Sequence, residues 1–262
     1  GEGYLKDLEA NIILRTPGMK FYMPELNEMR KEGRVVTSEM ELFFQLCPCK
    51  IIAVTGSDGK TTTTTIIAEM LKSAGRHVHL GGNIGKPLLP EIKDINEDDY
   101  AVVELSSFQL ISMRESCDIS VVTNISPNHL DIHKDMDEYV NSKKNIFIHQ
   151  NAFSVTVLNA ENDITNNFAD DVRGDVRMFS LKRPVYNGAY MADNGDIILS
   201  NHGKESTIMN RRDIKLLGDH NLENFITAIC AVRDIVSSED MLKVAKNFAG
   251  VEHRSEFVRE VN

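Results

Sequence analysis

The chain has 262 residues, of which 42% are hydrophobic and 26% are charged, and its formal net charge is −10 at pH 7. This composition is typical of a soluble globular protein. No apolar run is long enough to span a membrane, and no signal segment opens the chain. The negative charge argues against a broad nucleic-acid surface. We therefore expect a cytoplasmic protein with neither nucleic acid nor a membrane as a partner.

Short apolar runs alternate with helical patterns along most of the chain. The sequence predicts strands at 11–14, 34–38, 51–56, 77–82, 100–105, 119–125 and 153–159. It predicts helices at 62–75, 108–115, 136–150, 221–236 and 239–248, and a helix-like connection at 86–95. Buried strands separated by helices predict an α/β fold with a mostly parallel, helix-covered sheet.

Two regions differ in character from this pattern. Residues 178–210 contain the runs "MFSL", "GAYMA" and "DIILS", divided by "DNG", and predict a small antiparallel meander. Residues 1–46 form a separate strand–helix–strand piece, and the "CPCK" stretch at 47–50 is the predicted linker to the rest of the chain. We therefore expect a partial, Rossmann-like first piece and a larger second unit.

The stretch "VTGSDGKTTTTT" at 54–65 follows a predicted strand and opens a predicted helix. Such a turn binds anions, because backbone N–H groups and the helix dipole both point towards the ligand. Gly56 and Gly59 allow a tight turn, Lys60 supplies a charge for phosphates, and Thr61 could ligate Mg²⁺. Val54 replaces the first glycine of the general P-loop pattern. An ordinary capped turn is the alternative, and it would leave Lys60 as a cation at the positive end of a helix.

Three further positions carry candidate chemistry, each beside a less specific interpretation. Glu104 ends a predicted strand, where α/β sheets place ligands, and could bind Mg²⁺ or simply face solvent. The segment His129-Leu130-Asp131-Ile132-His133 suggests a metal, but its spacing is not that of a zinc-binding helix. Lys143 lies on an amphipathic predicted helix, where a solvated lysine is the usual case.

Seven segments together resemble the Mur ligases, and they occur in the order found in that family: "TGSDGKTTT", "GGNIGKP", "VVELSSFQL", "TNISPNHLDIH", "YVNSKKNI", "GDHNLENFITAICA" and "HRSEFV". The resemblance covers essentially the whole chain and includes the shortened glycine–lysine loop. The segment "ELSSFQL" most resembles the family member that adds D-glutamate to UDP-N-acetylmuramoyl-L-alanine.

The resemblance implies an ATP-dependent ligase of peptidoglycan precursor synthesis, with a P-loop ATPase-like central domain. Such an enzyme converts a carboxylate to an acyl phosphate, which an amine then attacks to form an amide. The implied partners are ATP, UDP-N-acetylmuramoyl-L-alanine and D-glutamate, the implied cofactors are two Mg²⁺ ions, and the implied state is a monomer. Lys143 matches a lysine that the family carries in carbamylated form.

The resemblance also assigns roles to individual positions. The implied catalytic residues are Lys60, Glu104, His129 and Lys143, and the implied metal ligands are Thr61, Glu104, His129 and Lys143. Nucleotide contacts are implied for Gly56, Ser57, Asp58, Gly59, Lys60, Thr61, Thr62, Asn221, Asn224 and Arg254. Substrate contacts are implied for Thr16, Pro17, Gly18, Asn83, Ser106 and His129. Thr16 stands where the family commonly has serine, and Asn128 stands where it often has aspartate.

By the same resemblance, residues 1–46 are a remnant of an N-terminal UDP-binding domain and residues 47–262 are the central ATP-binding domain. The C-terminal ligase domain is then absent, and we expect the chain to be inactive alone. Three alternatives stay open: another Mur or folylpolyglutamate-type ligase, a P-loop module without ligase chemistry, and a metal-dependent hydrolase using His129, Asp131 and His133. The joint presence of Glu104, His129 and Lys143 favours a ligase over a simple nucleotide-binding module.

Overall fold

A computed structural model describes residues 3, 5, 8–128 and 132–251 of the chain. The predictions for His129, Asp131 and Arg254 lie outside these residues. The first piece is a small parallel sheet of two strands with two helices. Its elements are β1 (Ile12–Arg15), α1 (Pro24–Lys31), β2 (Val35–Ser38) and α2 (Glu39–Leu46).

The larger part of the described chain forms a nine-stranded sheet with the order β11-β10-β9-β8-β7-β6-β3-β5-β4. Neighbours from β4 to β9 pair in parallel, and β10 and β11 each pair antiparallel with the preceding strand. The strands are β3 (Lys50–Thr55), β4 (Val78–Gly82), β5 (Tyr100–Glu104), β6 (Ile119–Val122), β7 (Val155–Asn159), β8 (Asp175–Ser180), β9 (Gly188–Met191), β10 (Asp196–Asn201) and β11 (Lys204–Asn210).

Helices cover both faces of this sheet. They are α3 (Lys60–Ser73), α4 (Ser107–Leu110), α5 (Met136–Lys144), α6 (Asp163–Asn167), α7 (Asp219–Val232) and α8 (Ser238–Asn247). Short 3₁₀ turns cover Leu89–Asp94, Phe168–Asp171 and Arg211–Asp213. Within the described part of the chain, no helix combines the length and the apolar character that a membrane crossing requires.

The alternation of side chains along β3 explains why the sheet has two cores. Ile52 and Val54 belong to the core that α3, α7 and α8 complete, whereas Ile51 and Ala53 belong to the core on the opposite face with α2 and α5. Successive strand residues point to opposite faces, so a strand that is apolar at every position must be covered on both. The carboxyl ends of the central strands therefore emerge between two helical layers.

The mostly parallel α/β fold predicted from the sequence is confirmed, and the structure corrects three of its elements. The predicted helix at 108–115 ends after four residues, because the chain then turns and buries Met113 and Cys117 in the core. The predicted helix at 136–150 ends at Lys144 and continues as turns that bury Ile146 and Phe147. The predicted meander begins only at β9, because β8 pairs in parallel with both of its neighbours. Helices α2 and α6 were not predicted.

Two phenylalanines give a direct test of where the core lies. Phe225 on α7 is completely buried between α7 and the sheet, whereas Phe153 is 97% exposed. We expect Phe225→Ala to lower the free energy of unfolding by about 3–5 kcal/mol, because it leaves a cavity in the core. Phe153→Ala makes the same chemical change and should alter it by less than about 0.5 kcal/mol. Denaturant unfolding measures both, and equal effects of the two substitutions would contradict this core.

Candidate nucleotide and substrate site

The turn between β3 and α3 needs glycine at two positions. Gly56 has φ +151° and Gly59 has φ +78°, and L side chains rarely adopt either conformation. A Cβ atom at Gly56 would lie 1.9 Å from Thr123 Oγ1, and one at Gly59 would lie 2.2 Å from Asn224 Oδ1. The glycine spacing therefore follows from close approach to two neighbouring segments as well as from backbone conformation.

The segment that follows β6 holds this turn in place. Asn124 accepts the Ser57 N–H at its carbonyl (2.9 Å) and the Asp58 N–H at its side-chain Oδ1 (3.0 Å). The Thr123 hydroxyl donates to the Asp58 carbonyl (2.6 Å). Ser57 Oγ lies 2.9 Å from the Tyr139 hydroxyl of α5. The turn is thus fixed from both sides before any ligand arrives, which suits a preorganised anion site.

Helix α3 begins inside the turn with a cation in its first residue. Lys60 Nζ curls back over the turn and donates to the Ser57 carbonyl (2.9 Å). The first N–H groups of an α-helix have no partner within the helix, so this end presents both a side-chain charge and backbone donors. Thr64 and Thr65 donate to the carbonyls of Lys60 and Thr61 at 2.7 and 2.8 Å. Thr64 and Thr65 therefore satisfy their hydroxyls within the helix.

A buried carboxylate lies directly behind the turn. Glu104, at the end of β5, is 2% exposed. One of its oxygens accepts the Thr61 hydroxyl at 2.7 Å, and the other accepts the Asn83 side-chain amide at 2.9 Å. The alternative of a solvated strand-end glutamate is therefore wrong. Parallel pairing of β3, β5 and β4 places all three residues at one edge of the sheet.

Lys143 is a buried amine beside the same turn. Its side chain is 2% exposed, so the alternative of a solvated helix face is wrong. Nζ donates to the Gly56 carbonyl at 2.8 Å and lies 4.9 Å from the centre of the Tyr139 ring. Burial is the largest cause that lowers the pKa of Lys143, and repulsion by the Lys60 ammonium lowers it further. The negative charges of Glu104 and Asp58 act in the opposite direction, and the resulting pKa is about 7. A substantial fraction of this amine is therefore neutral near pH 7.

A small cleft of about 450 Å³ opens on the α7 side of the turn. It is lined by Asp58, Gly59, Thr62, Asn124, His220, Asn221, Glu223 and Asn224. The structure thus brings Asn221 and Asn224 of α7 next to the glycine turn. Asn221 is anchored by donating to the Leu217 carbonyl (2.8 Å), and Asn224 Oδ1 accepts the Thr63 hydroxyl (3.3 Å).

A larger cleft of about 900 Å³ lies between the first piece and the main sheet. Its lining includes Pro17, Gly18, Asn83 and Ser106, which places four of the predicted substrate residues around one space. Thr16 does not line it. The two parts of the chain are joined beneath the cleft by Arg15, which is 3% exposed and donates to the Phe108 carbonyl at 2.8 Å.

The two clefts are connected by a short chain of hydrogen bonds. Asn83 lines the larger cleft and donates to Glu104, which in turn accepts from Thr61. The next residue, Thr62, lines the smaller cleft. A ligand in the larger cleft would therefore be separated from the buried Glu104 carboxylate by Asn83. A ligand in the smaller cleft would be separated from it by Thr62 and Thr61.

The donor set at this junction fits a hard divalent cation. The Thr61 hydroxyl and the Glu104 carboxylate converge, and Mg²⁺ is bound in proteins by oxygen ligands of these kinds. Lys143 donates to the Gly56 carbonyl and does not contribute to this oxygen donor set.

Several residues at the site were not predicted from the sequence. Asn124 and Tyr139 hold the turn, and Arg15 joins the two parts of the chain. Asn124 lies at the carboxyl end of the strand predicted at 119–125, and that position was a usable signal. His133 is also engaged rather than open: its ring nitrogens lie 2.8 Å from Ser107 Oγ and 3.3 Å from Glu138 Oε2.

Comparison with protein families gives a match to the Mur ligase middle domain over residues 54–232. Curated proteins named "UDP-N-acetylmuramoylalanine--D-glutamate ligase" are similar over the whole chain. The protein from Acetivibrio thermocellus is 53% identical, and the one from Clostridium acetobutylicum is 51% identical. In each case the match covers 100% of this chain and 56% of the relative, so the chain spans about 56% of the length of these relatives.

Solved structures with the same fold are more distant in sequence. MurF from Acinetobacter baumannii has a TM-score of 0.64 at 19% identity, covering 87% of this chain and 54% of its own. A UDP-N-acetylmuramate:L-alanyl-gamma-D-glutamyl-meso-diaminopimelate ligase from Neisseria meningitides has a TM-score of 0.65 at 17% identity, covering 95% of this chain and 82% of its own. These likenesses concern the fold. The middle-domain match over residues 54–232 extends over more than half of the chain, and the chain therefore belongs to the Mur ligase family.

Proposed function

We propose that this chain carries the ATP site and part of the acceptor site of a ligase that joins D-glutamate to UDP-N-acetylmuramoyl-L-alanine. The observation that carries the proposal is the Thr61–Glu104–Asn83 hydrogen-bond chain between two clefts, in which Thr61 and Glu104 are buried, with Lys60 and Lys143 beside it. The curated relatives of about 50% identity support the choice of substrates through their name.

We also propose that the protein is a cytoplasmic monomer that acts in peptidoglycan synthesis. Its two proposed domain segments are residues 1–46 and 47–262.

ATP would lie across the smaller cleft with its phosphates on the glycine turn. Residues 56–62 supply the turn and the first N–H groups of α3, and Asn221 and Asn224 would face the nucleoside. Lys60 would turn from the Ser57 carbonyl to the phosphate that is transferred. Arg254, a further proposed nucleotide contact, lies outside the described residues.

Thr61 and Glu104 would hold one Mg²⁺, and a modified Lys143 with His129 would hold the second. His129 lies outside the described residues. When bound, Mg²⁺ would supply charge neutralisation for the phosphoryl oxygens. The protein's own contribution is positional, because Asn83 fixes one oxygen of Glu104 and Thr61 meets the other.

The acceptor substrate would enter the larger cleft. Pro17, Gly18 and Ser106 line it, and Asn83 marks the end nearest the phosphate turn, where the alanyl carboxylate would lie. That carboxylate would attack the γ-phosphorus of ATP, with ADP leaving and Lys60 offsetting the negative charge. The product of this first step would be an acyl phosphate. The D-glutamate amine would then attack its carbonyl carbon, lose a proton to solvent and expel phosphate, leaving the amide. Positioning and charge neutralisation contribute most to phosphoryl transfer of this kind.

Lys143 is proposed to be carbamylated. Its neutral Nζ would form a bond to the carbon of CO₂, one C=O electron pair would move to oxygen, and one proton would leave Nζ. The side chain would change from a cation to an anion at a position next to Gly56 and within reach of the charge of Glu104. The electrostatic repulsion between Lys143 and Lys60 would then become an attraction.

The phosphate-turn assignment predicts a loss of nucleotide affinity without loss of fold. Lys60→Ala should weaken binding of a Mg-ATP analogue to this chain by about tenfold or more, because a charge-assisted contact is worth about 1.5–3 kcal/mol. Lys72→Ala, near the end of the same helix and paired with exposed Glu69, is the control and should bind normally. Calorimetry measures both, and unchanged affinity of Lys60→Ala would rule out the assignment.

The carbamate predicts a pH-dependent signal from one lysine. With ¹³C-bicarbonate, NMR should detect a carbamate carbon at pH 8, because the pKa of about 7 leaves the Lys143 amine mostly neutral there. The signal should fall as the pH is lowered through 7, where the amine becomes protonated. Lys143→Met should abolish it, and Lys144→Met on the adjacent, partly exposed lysine should not. No signal at pH 8 in the presence of Mg-nucleotide would remove the carbamate from the proposal.

The reaction itself is tested by product formation. This chain, alone and extended to the length of the curated relatives, is incubated with ATP, Mg²⁺, UDP-N-acetylmuramoyl-L-alanine and D-glutamate. Mass spectrometry should detect the D-glutamyl product from the extended protein and not from its Lys60→Ala variant. We place the D-glutamate site outside residues 1–262, so product from this chain at the rate of the extended protein would contradict that placement. Absence of product from a folded extended protein would refute the ligase assignment.

A further inference from the structure

Two histidines and an aspartate converge at the end of the sheet opposite the phosphate turn. His77 Nδ1 lies 3.1 Å and His79 Nε2 lies 2.9 Å from the same oxygen, Asp99 Oδ2. The three candidate ligand atoms all lie within 4.8 Å of one another. Among the described residues, this is the sole group of three or more His, Cys, Asp or Glu side chains that converges in this way.

The fold brings these residues together through strand geometry. His77 and His79 are two residues apart at the start of β4, so their side chains project on the same side of the strand. Asp99 immediately precedes β5, and Val78 is paired with Tyr100 in the parallel register. All three residues therefore lie at the amino ends of two neighbouring strands, of which β4 is the edge of the sheet.

The carboxylate is held ready before any ion binds. Asp99 Oδ2 accepts the Asn96 backbone N–H at 2.9 Å and the Asn96 side-chain amide at 3.4 Å. These two donors fix the orientation of the carboxylate towards the two histidines. The side chains of His79 and Asp99 are 9% and 8% exposed, whereas His77 is 69% exposed and leaves one side open to water.

We propose that His77, His79 and Asp99 form a binding site for a divalent transition metal of the zinc class, with water completing the coordination. Two imidazoles and a carboxylate suit Zn²⁺, Ni²⁺ or Cu²⁺ and not Mg²⁺, which prefers oxygen ligands. In a tetrahedral zinc site with bonds near 2.0–2.2 Å, ligand atoms lie about 3.3 Å apart. The separations of 2.9 and 3.1 Å are close to that value, and the exposed ring of His77 is free to make the small outward adjustment.

The ion would act as a clamp between β4 and β5. The opposite end of β4 leads to Asn83 and the opposite end of β5 carries Glu104, and these two residues are joined by a hydrogen bond of 2.9 Å. A metal at the amino ends would fix the same strand pair from its other end. This role concerns strand stability and does not depend on the proposed ligase reaction.

Calorimetric titration of the chelator-treated chain with Zn²⁺ tests the site. We expect one site whose affinity falls by about tenfold or more in His77→Ala, since even loss of an outer-shell partner costs about that much. Zinc should also raise the thermal midpoint of the parent and not of this variant. His149→Ala removes an exposed histidine elsewhere and should bind like the parent. His77 is exposed, so its variant should fold normally, which circular dichroism checks.

Cobalt substitution separates this site from the nearest competing ligands. Cys47 and Cys49 have their sulfur atoms 3.5 Å apart and could also take up a soft metal. Co²⁺ in the proposed site should give d–d bands without a thiolate-to-cobalt charge-transfer band, and Asp99→Asn should weaken the d–d bands. An intense thiolate band, no zinc binding, or equal zinc affinity in His77→Ala and the parent would each overturn the proposal.

Discussion

The buried carboxylate of Glu104 is the group on which the site geometry depends. It accepts one hydrogen bond from Thr61 on the side of the glycine turn and another from Asn83 on the side of the larger cleft. A carboxylate that is 2% exposed is costly unless its oxygens are satisfied, so these two donors are fixed along with it. The glycine turn and the larger cleft are thereby held in a fixed relative position at the carboxyl edge of the sheet.

Charge is distributed around this carboxylate in a way that favours anionic ligands. Lys60 and Lys143 lie near each other, and their repulsion contributes to the low pKa of the Lys143 amine. An anion bound between them would relieve that repulsion, as would conversion of Lys143 to a carbamate. The chain as a whole carries a net charge of −10, so the cationic character is local to the site.

The sequence was sufficient to predict the parts of the fold and site that depend on local pattern. The glycine turn was predicted because a strand, the Gly56 and Gly59 spacing and a helix start occur together, and Glu104 because it ends a strand. The role of Lys143 was harder to predict. Its position on an amphipathic helix favoured a solvated lysine when only the residue pattern was considered, and the resemblance to the Mur ligases changed that interpretation. The i, i+4 spacing from the apolar Tyr139 was the available signal that Lys143 shares the buried helix face.

Features that depend on long-range contacts were missed. Asn124 holds the turn through bonds across more than sixty positions of sequence, and Arg15 reaches Phe108 across 93 positions. No local pattern encodes such partners. The parallel pairing of β8 was missed for the same reason, since an apolar run near a "DNG" turn favours a hairpin when its partners are unknown.

The central proposal is that ATP and the muramoyl substrate meet at the buried carboxylate, and a crystal structure tests it most directly. The crystal would contain this chain with Mg²⁺, a non-hydrolysable ATP analogue and UDP-N-acetylmuramoyl-L-alanine. The account predicts the γ-phosphorus on the glycine turn, within about 3–3.5 Å of an alanyl carboxylate oxygen, which is the separation of a near-attack geometry. Phosphates bound away from Lys60, or a carboxylate outside the cleft that Asn83 lines, would contradict it.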